Sequence, residues 1–227
     1  MIHEDSRLRN RAPVFRDRAD AGRALASLLA PLARSGALVL AIPSGGIPVA
    51  VEVARELDLE LDVMPVSKIL LPWNTESGFG AVAFDGSVWV NQDDVRHYGL
   101  GENDVAESVT AARAKVQRRM SRLRGERPAP AAADRVAIVV DDGIAAGSTM
   151  RVAIEAACRL GATQTIVAAP TGHRRSVELL AGLAHEVYCA NIRASLRFAV
   201  ADAYENWHDV SEVEAESLLK EPRKGTA

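Results

Sequence analysis

The stretch Val136-Ala-Ile-Val-Val-Asp-Asp-Gly-Ile-Ala-Ala-Gly-Ser-Thr149 is where residue types and spacing most clearly permit chemistry. An apolar run ends in two adjacent carboxylates, Asp141 and Asp142, and a turn of small residues then leads to two hydroxyls, Ser148 and Thr149. Small side chains at Ala145, Ala146 and Gly147 let the backbone approach an anion closely. The N–H groups at the head of a following helix point at that anion with the positive end of the dipole. Ser148 and Thr149 add hydroxyl donors. The acids precede this cradle, so they face whatever is attached to a phosphate, and a ribose diol is their natural partner. The segment contains neither the Gly-Lys-Ser/Thr of a Walker loop nor a GxGxxG string. A buried strand, a polar turn and a Ser/Thr-capped helix would account for the same residues without any ligand; the combination of all the parts favours the cradle.

A second small-residue turn, Pro43-Ser44-Gly45-Gly46, follows the apolar run from residue 37 to 42. Its glycines permit unusual backbone angles and close approach to an anion, although an ordinary strand-to-helix turn remains open. In an open parallel sheet, ligands bind beyond the carboxyl ends of the strands, which is where both turns fall.

The segment Val139 to Thr149 resembles the diphosphoribosyl signature of type I phosphoribosyltransferases, over most of its length. The resemblance implies that Asp141 and Asp142 hold the ribose hydroxyls of phosphoribosyl pyrophosphate and that Ala145, Ala146, Gly147, Ser148 and Thr149 bind its 5-phosphate. It implies a pyrophosphate loop at Ser44, Gly45 and Gly46. Mg²⁺ would bridge pyrophosphate and ribose oxygens, with Asp141 and Asp142 as direct or water-mediated partners. Lys68, one of four lysines beside Lys115, Lys220 and Lys224, closes the second strand and would reach the leaving pyrophosphate; a solvated strand end is the alternative. Similar proteins carry an Arg-Lys pair there, and this chain has Ser67-Lys68. Ala146 stands where close relatives have threonine. Ala145 stands where enzymes of the hypoxanthine type place a catalytic aspartate, which disfavours hypoxanthine or guanine as acceptor. The resemblance spans most of the chain, from Phe15-Arg-Asp-Arg18 to Trp207, and the segment Phe198 to Trp207 resembles the C-terminal part of a little-characterised phosphoribosyltransferase-like group.

The elements that must position these residues read as alternating β and α. Helical spacing marks 18–32, 47–57, 103–124, 149–160 and 174–183, and strands are expected at 37–42, 59–67, 136–140, 164–170 and 185–190. Asp85-Gly86 between residues 81–84 and 87–90 predicts a two-residue hairpin. This alternation predicts an α/β, doubly wound, mostly parallel sheet. The resemblance adds a flexible hairpin loop at 71–101 and a small C-terminal hood from about 191. The domain is expected to span 1–210, with 211–227 a polar tail, solvated or disordered. Trp73, Phe79, Phe84 and Trp89 are each expected to pack the hairpin. Thr171 to Arg175 should face the crevice after a strand, with His173 and Arg174 near an acceptor or in a solvated turn. Phe198, Tyr204 and Trp207 would stack on a heterocycle or pack in the core.

Composition sets the outer limits. With 48% apolar and 25% charged residues in 227 positions, the chain can bury one sizeable core. Its 27 basic and 30 acidic residues give a net charge of -3, so an anionic ligand needs a local site. RNA binding through Arg113, Lys115, Arg118, Arg119, Arg122 and Arg124 is weaker than the reading of a solvated helix face. Cys158 and Cys189 have no metal or redox spacing and read as buried inert thiols. No signal core or membrane-length apolar run is evident, so a cytoplasmic location is expected, with no membrane partner. A homodimer is expected. The implied reaction transfers a phosphoribosyl group to a nitrogenous base with release of pyrophosphate. A non-catalytic regulator that binds phosphoribosyl pyrophosphate or a nucleotide is the rival, because no general base is evident.

Overall fold

The computed structural model describes residues 1–75 and 77–221. Among these, β1 (Ile2–His3), β2 (Leu38–Ala41), β3 (Glu60–Val63), β7 (Val136–Val140), β8 (Gln164–His173) and β9 (Glu186–Arg193) form one sheet, ordered β1-β9-β8-β7-β2-β3. Every pairing in it is parallel. A second, antiparallel sheet holds β4 (Val66–Leu70), β5 (Gly78–Ala83) and β6 (Val88–Val90). The helices are α1 (Arg18–Leu28), α2 (Gly46–Leu57), α3 (Gln92–His97), α4 (Glu102–Arg124), α5 (Ser148–Arg159), α6 (Arg174–Ala181) and α7 (Glu212–Lys220).

The two-residue side-chain period of a strand divides the core into two layers. Leu38 and Leu40 of β2 pack with Val139 of β7 and with Met150 and Ala153 of α5. Val39 and Ala41 turn the other way and meet Leu25 of α1, Ala50 and Val53 of α2, and Ile138 of β7. Both faces of β2 and β7 are therefore covered, which is why they read as unbroken apolar runs. The second sheet packs on α4 through Ile69, Phe79, Val82, Ala112 and Val116.

Several boundaries differ from the sequence reading, each for a local reason. Residues 59–67 are not one strand: Met64 N–H continues the ladder to Ala41 O at 2.8 Å, then Pro65, lacking an N–H, precedes β4 in the other sheet. The hairpin has a three-residue loop, since Ala83 N–H bonds Ser87 O at 2.9 Å and Gly86 alone takes a positive φ of 87°. Among the described residues of 71–101, Leu71, Phe79 and Leu100 are buried against α4, whereas Trp73 is 64% exposed and does not pack as expected. The helix from Arg18 stops at Leu28, before a 3₁₀ turn containing Pro31. β8 runs on to His173 because Thr171 and Gly172 stay in register with Asn191 and Ile192 of β9.

Residues 212–220, expected in a polar tail, form α7, whose Ala215 is buried and whose Leu218 and Leu219 rest on the α1/α2 layer; residues 222–227 lie outside the described residues. Cys189 is buried, and burial pushes its thiol pKa up, whereas Cys158 is exposed, contrary to expectation. No helix of the described residues is long and apolar enough to cross a membrane.

Candidate functional site

The winding reverses between β2 and β7, which are paired neighbours although the chain leaves β2 for β3 on the far side. Such a switch point opens a crevice at the carboxyl ends of the strands. The two small-residue turns meet there.

Pro43–Gly46 packs directly on the acid pair. An added β-carbon on Gly45 would fall 2.1 Å from Asp142 Oδ2, and one on Gly46 would fall 2.7 Å from Val140 O and 2.9 Å from Asp141 Cα. The glycines are needed for this contact and not for unusual angles, since Gly45 has φ -61° and ψ -33°. The Pro43–Ser44 peptide is cis. Gly46 N–H is engaged by Ile42 O at 3.0 Å, so the assignment of an anion-binding amide to Gly46 is corrected. Among the described residues no acceptor is paired with Ser44 or Gly45 N–H.

The second turn is pinned by Ile144, whose N–H bonds Thr171 O at 2.9 Å and whose carbonyl accepts His173 N–H at 2.8 Å. Ser176 Oγ donates to Ala145 O. Gly147 takes φ 83° at the head of α5, a left-handed conformation that glycine adopts without a Cβ penalty. Ala145 and Ala146 are exposed and Ser148 is buried. Among the described residues, the N–H groups of Ala145 through Thr149 have no acceptor, as the first turn of a helix leaves them. The five residues assigned to a phosphate thus form a donor-rich turn, exposed at Ala145 and Ala146 and buried at Gly147 and Ser148.

Asp141 and Asp142 stand half-buried between these turns. Asp142 N–H bonds Asp141 Oδ1 at 2.9 Å. Asp142 Oδ2 accepts Arg18 Nε at 2.9 Å, and Asp142 O accepts the Tyr204 hydroxyl at 2.6 Å. Burial, reinforced by the neighbouring charge of Asp142, holds the Asp141 carboxyl well above its usual pKa. Burial raises Asp142 too, and Arg18 opposes the rise. Tyr204 is pushed upward mainly by burial and remains a donor.

Arg18 was given no role by sequence reasoning, while Tyr204, read as a stacking or core aromatic, and Arg119, read as one of a row of helix-surface cations, support the site in other ways. Arg18 is the first residue of α1, behind the cap Asp17, where the helix dipole disfavours a cation; that misfit was the available signal. Arg119 Nη1 donates to Pro43 O and Val66 O, both at 3.0 Å, fastening the first turn to β4. Nothing in the repeated arginines of α4 singled it out. The same contacts revise the picture of α4 as a solvated basic face: Arg119 and Arg124 are turned inward, Arg124 to Asp62, while Arg122 meets Glu212 and Glu216.

Lys68 is exposed in the middle of β4, in the second sheet, and does not close a strand of the main sheet. It lies close enough to Lys115 that its charge helps depress the Lys115 pKa, after burial, Arg119 and Arg118. Thr171 is a buried strand residue bonded to Asn191 at 2.8 Å and does not face the crevice. His173 meets Phe198 edge-on at 5.6 Å, and Arg193 lies over Phe198 at 4.2 Å. Trp207 carries the Arg18 guanidinium on its face at 3.8 Å.

No group of three or more ligating His, Cys, Asp or Glu side chains occurs among the described residues. The donor chemistry of Asp141 and Asp142 fits a magnesium ion that keeps most of its ligands from water and a substrate's phosphates, as this ion commonly does.

No family model matches the chain. It is 40% identical over 208 residues to a Mycobacterium tuberculosis protein provisionally named phosphoribosyl transferase Rv0571c, covering 91% of this chain and 46% of the relative. It therefore spans a little under half the length of that relative. A solved structure, TT1426 from Thermus thermophilus, is 34% identical with a TM-score of 0.73, covering 91% of this chain and 97% of TT1426.

Proposed function

The chain belongs to the type I phosphoribosyltransferase family, and from that premise we propose that it transfers the 5-phosphoribosyl group of phosphoribosyl pyrophosphate to a small heterocyclic base. The observation that carries this reading is the turn at 145–149, whose amides have no acceptor among the described residues, following directly on an acid pair against which the Gly45–Gly46 turn packs. In the proposed reaction the ribose C1–O bond to pyrophosphate breaks, the electron pair leaves with pyrophosphate, a C1–N bond forms, and the proton of an N–H acceptor passes to pyrophosphate or solvent. Positive charge builds on the sugar between these events.

The residues mainly orient and neutralise. Amides of 145–149 and the Ser148 and Thr149 hydroxyls hold the 5-phosphate. Asp141 and Asp142 accept from the ribose hydroxyls, and Ser44 and Gly45 N–H groups receive charge developing on the leaving group. Asp141 and Asp142 would also hold Mg²⁺, which when bound supplies charge neutralisation on pyrophosphate. Lys68 remains the proposed cation for the leaving group. The acceptor crevice lies by His173, Arg174 and Phe198. Ala145 offers no carboxylate to act as base.

The test is release of pyrophosphate from phosphoribosyl pyrophosphate with Mg²⁺ across a panel of purine, pyrimidine and pyridine bases. Release with one base, lost in Asp141→Ala and Asp142→Ala, supports transfer. Calorimetric binding without release by any base would instead favour a regulator that uses the same cradle. Absence of binding would overturn both.

A further inference from the structure

We propose that Arg18 is a positioning residue for the acid pair, an inference that rests on the ribosyl-binding reading above. Its side chain is 6% exposed and has three partners on two parts of the chain, Asp142 and residues 207–208. Nε reaches Asp142 Oδ2 at 2.9 Å, Nη1 donates to His208 O at 2.8 Å, and the plane lies on the Trp207 ring at 3.8 Å. Tyr204 closes the same circuit by donating to Asp142 O at 2.6 Å. Residues 204–208 are thereby tied to one carboxylate of the crevice through both its side chain and its main chain.

A planar fork with an aromatic-stacking face is needed for all three contacts, and lysine cannot reproduce them. By occupying Oδ2, Arg18 fixes the rotation of the Asp142 carboxylate and leaves the other oxygen for a sugar hydroxyl. It also offsets part of the repulsion between two adjacent acids, which would otherwise turn them apart. Because the same guanidinium rests on Trp207, a ligand that engages Asp142 changes the surroundings of the indole.

The experiment measures affinity for phosphoribosyl pyrophosphate with Mg²⁺ by calorimetry, and indole emission during the same titration, in the full chain. Asp142→Asn is the control for the parent reading. Arg18→Met and Arg18→Lys are each expected to weaken binding about tenfold or more, the scale of one lost charged hydrogen bond, with lysine giving no rescue. The ligand-dependent emission change should be present in wild type and absent in Trp207→Phe and Arg18→Met. Should Arg18→Met fail to fold, Arg18→Lys carries the comparison. Wild-type affinity in the Arg18 variants, with binding lost in Asp142→Asn, overturns the positioning role and spares the parent reading. Wild-type affinity in Asp142→Asn overturns the parent reading itself.

Discussion

Gly45 and Asp142 approach so closely that a single added carbon on the glycine would sit 2.1 Å from the carboxylate oxygen that Arg18 holds. Gly45→Ala must therefore displace either the turn or the acid. The expected cost is about 1–3 kcal/mol of stability, the usual range for overpacking, together with loss of ribosyl-ligand binding. Thermal unfolding and calorimetry on the variant check both.

Arg119 fastens the same turn from α4 through two carbonyls. Arg119→Met keeps much of the side-chain volume and removes both bonds, leaving Pro43 O and Val66 O without that donor. Destabilisation of about 1–3 kcal/mol is expected, with a raised KM for phosphoribosyl pyrophosphate. A denaturant titration and steady-state kinetics distinguish this from an unengaged surface arginine, whose removal would change neither.

Asp141 has a raised pKa, chiefly from burial. For an acid raised in the folded state, the fold binds the proton more tightly than the unfolded chain. Stability is then fully present at low pH and declines as pH rises from the ordinary carboxylate value through the raised one. Asp141→Asn, which cannot ionise, should melt higher than wild type at neutral pH by about 2–4 °C, and the gain should shrink toward pH 4. It should also bind ribosyl ligand more weakly. Melting curves across that pH range would contradict the assignment if the gain grew on acidification.

The two thiols should separate cleanly. Cys158 is exposed and Cys189 buried with its pKa pushed up, so a thiol reagent should titrate one cysteine in the native protein and two in denaturant. Cys158→Ser should abolish the native reaction. Two fast-reacting native thiols would contradict the burial of β9.

The acid pair, the amide turn and the parallel sheet were legible because each is local: an apolar run, a pair of carboxylates and small residues follow one another along fourteen positions, Val136 to Thr149. The supports were not. Arg18 is joined to Asp142, and Tyr204 to the same residue, only by tertiary folding. Arg119 looks like its neighbours until α4 is laid against Pro43 and Val66. The helix at 212–220 was hidden by its acids, because its apolar contribution is mainly Ala215, Leu218 and Leu219 against distant partners. Pro65 was the missed local signal, since a residue without an N–H is a natural place to leave a ladder.

The pairing of Ile2 and His3 with Val187 and Tyr188 has a consequence for biosynthesis. These two residues are made long before their ladder partners, and a similar gap separates Phe15 from Tyr204. A nascent chain can begin to gather β2, α2 and β3 early, yet the far wall of the crevice has to wait for residues 186–208. Such long-range closure slows folding and leaves apolar surface uncovered meanwhile. Translation that stalls between β8 and β9 would thus yield a particle with the turn at 145–149 already encoded and no wall to stand against it.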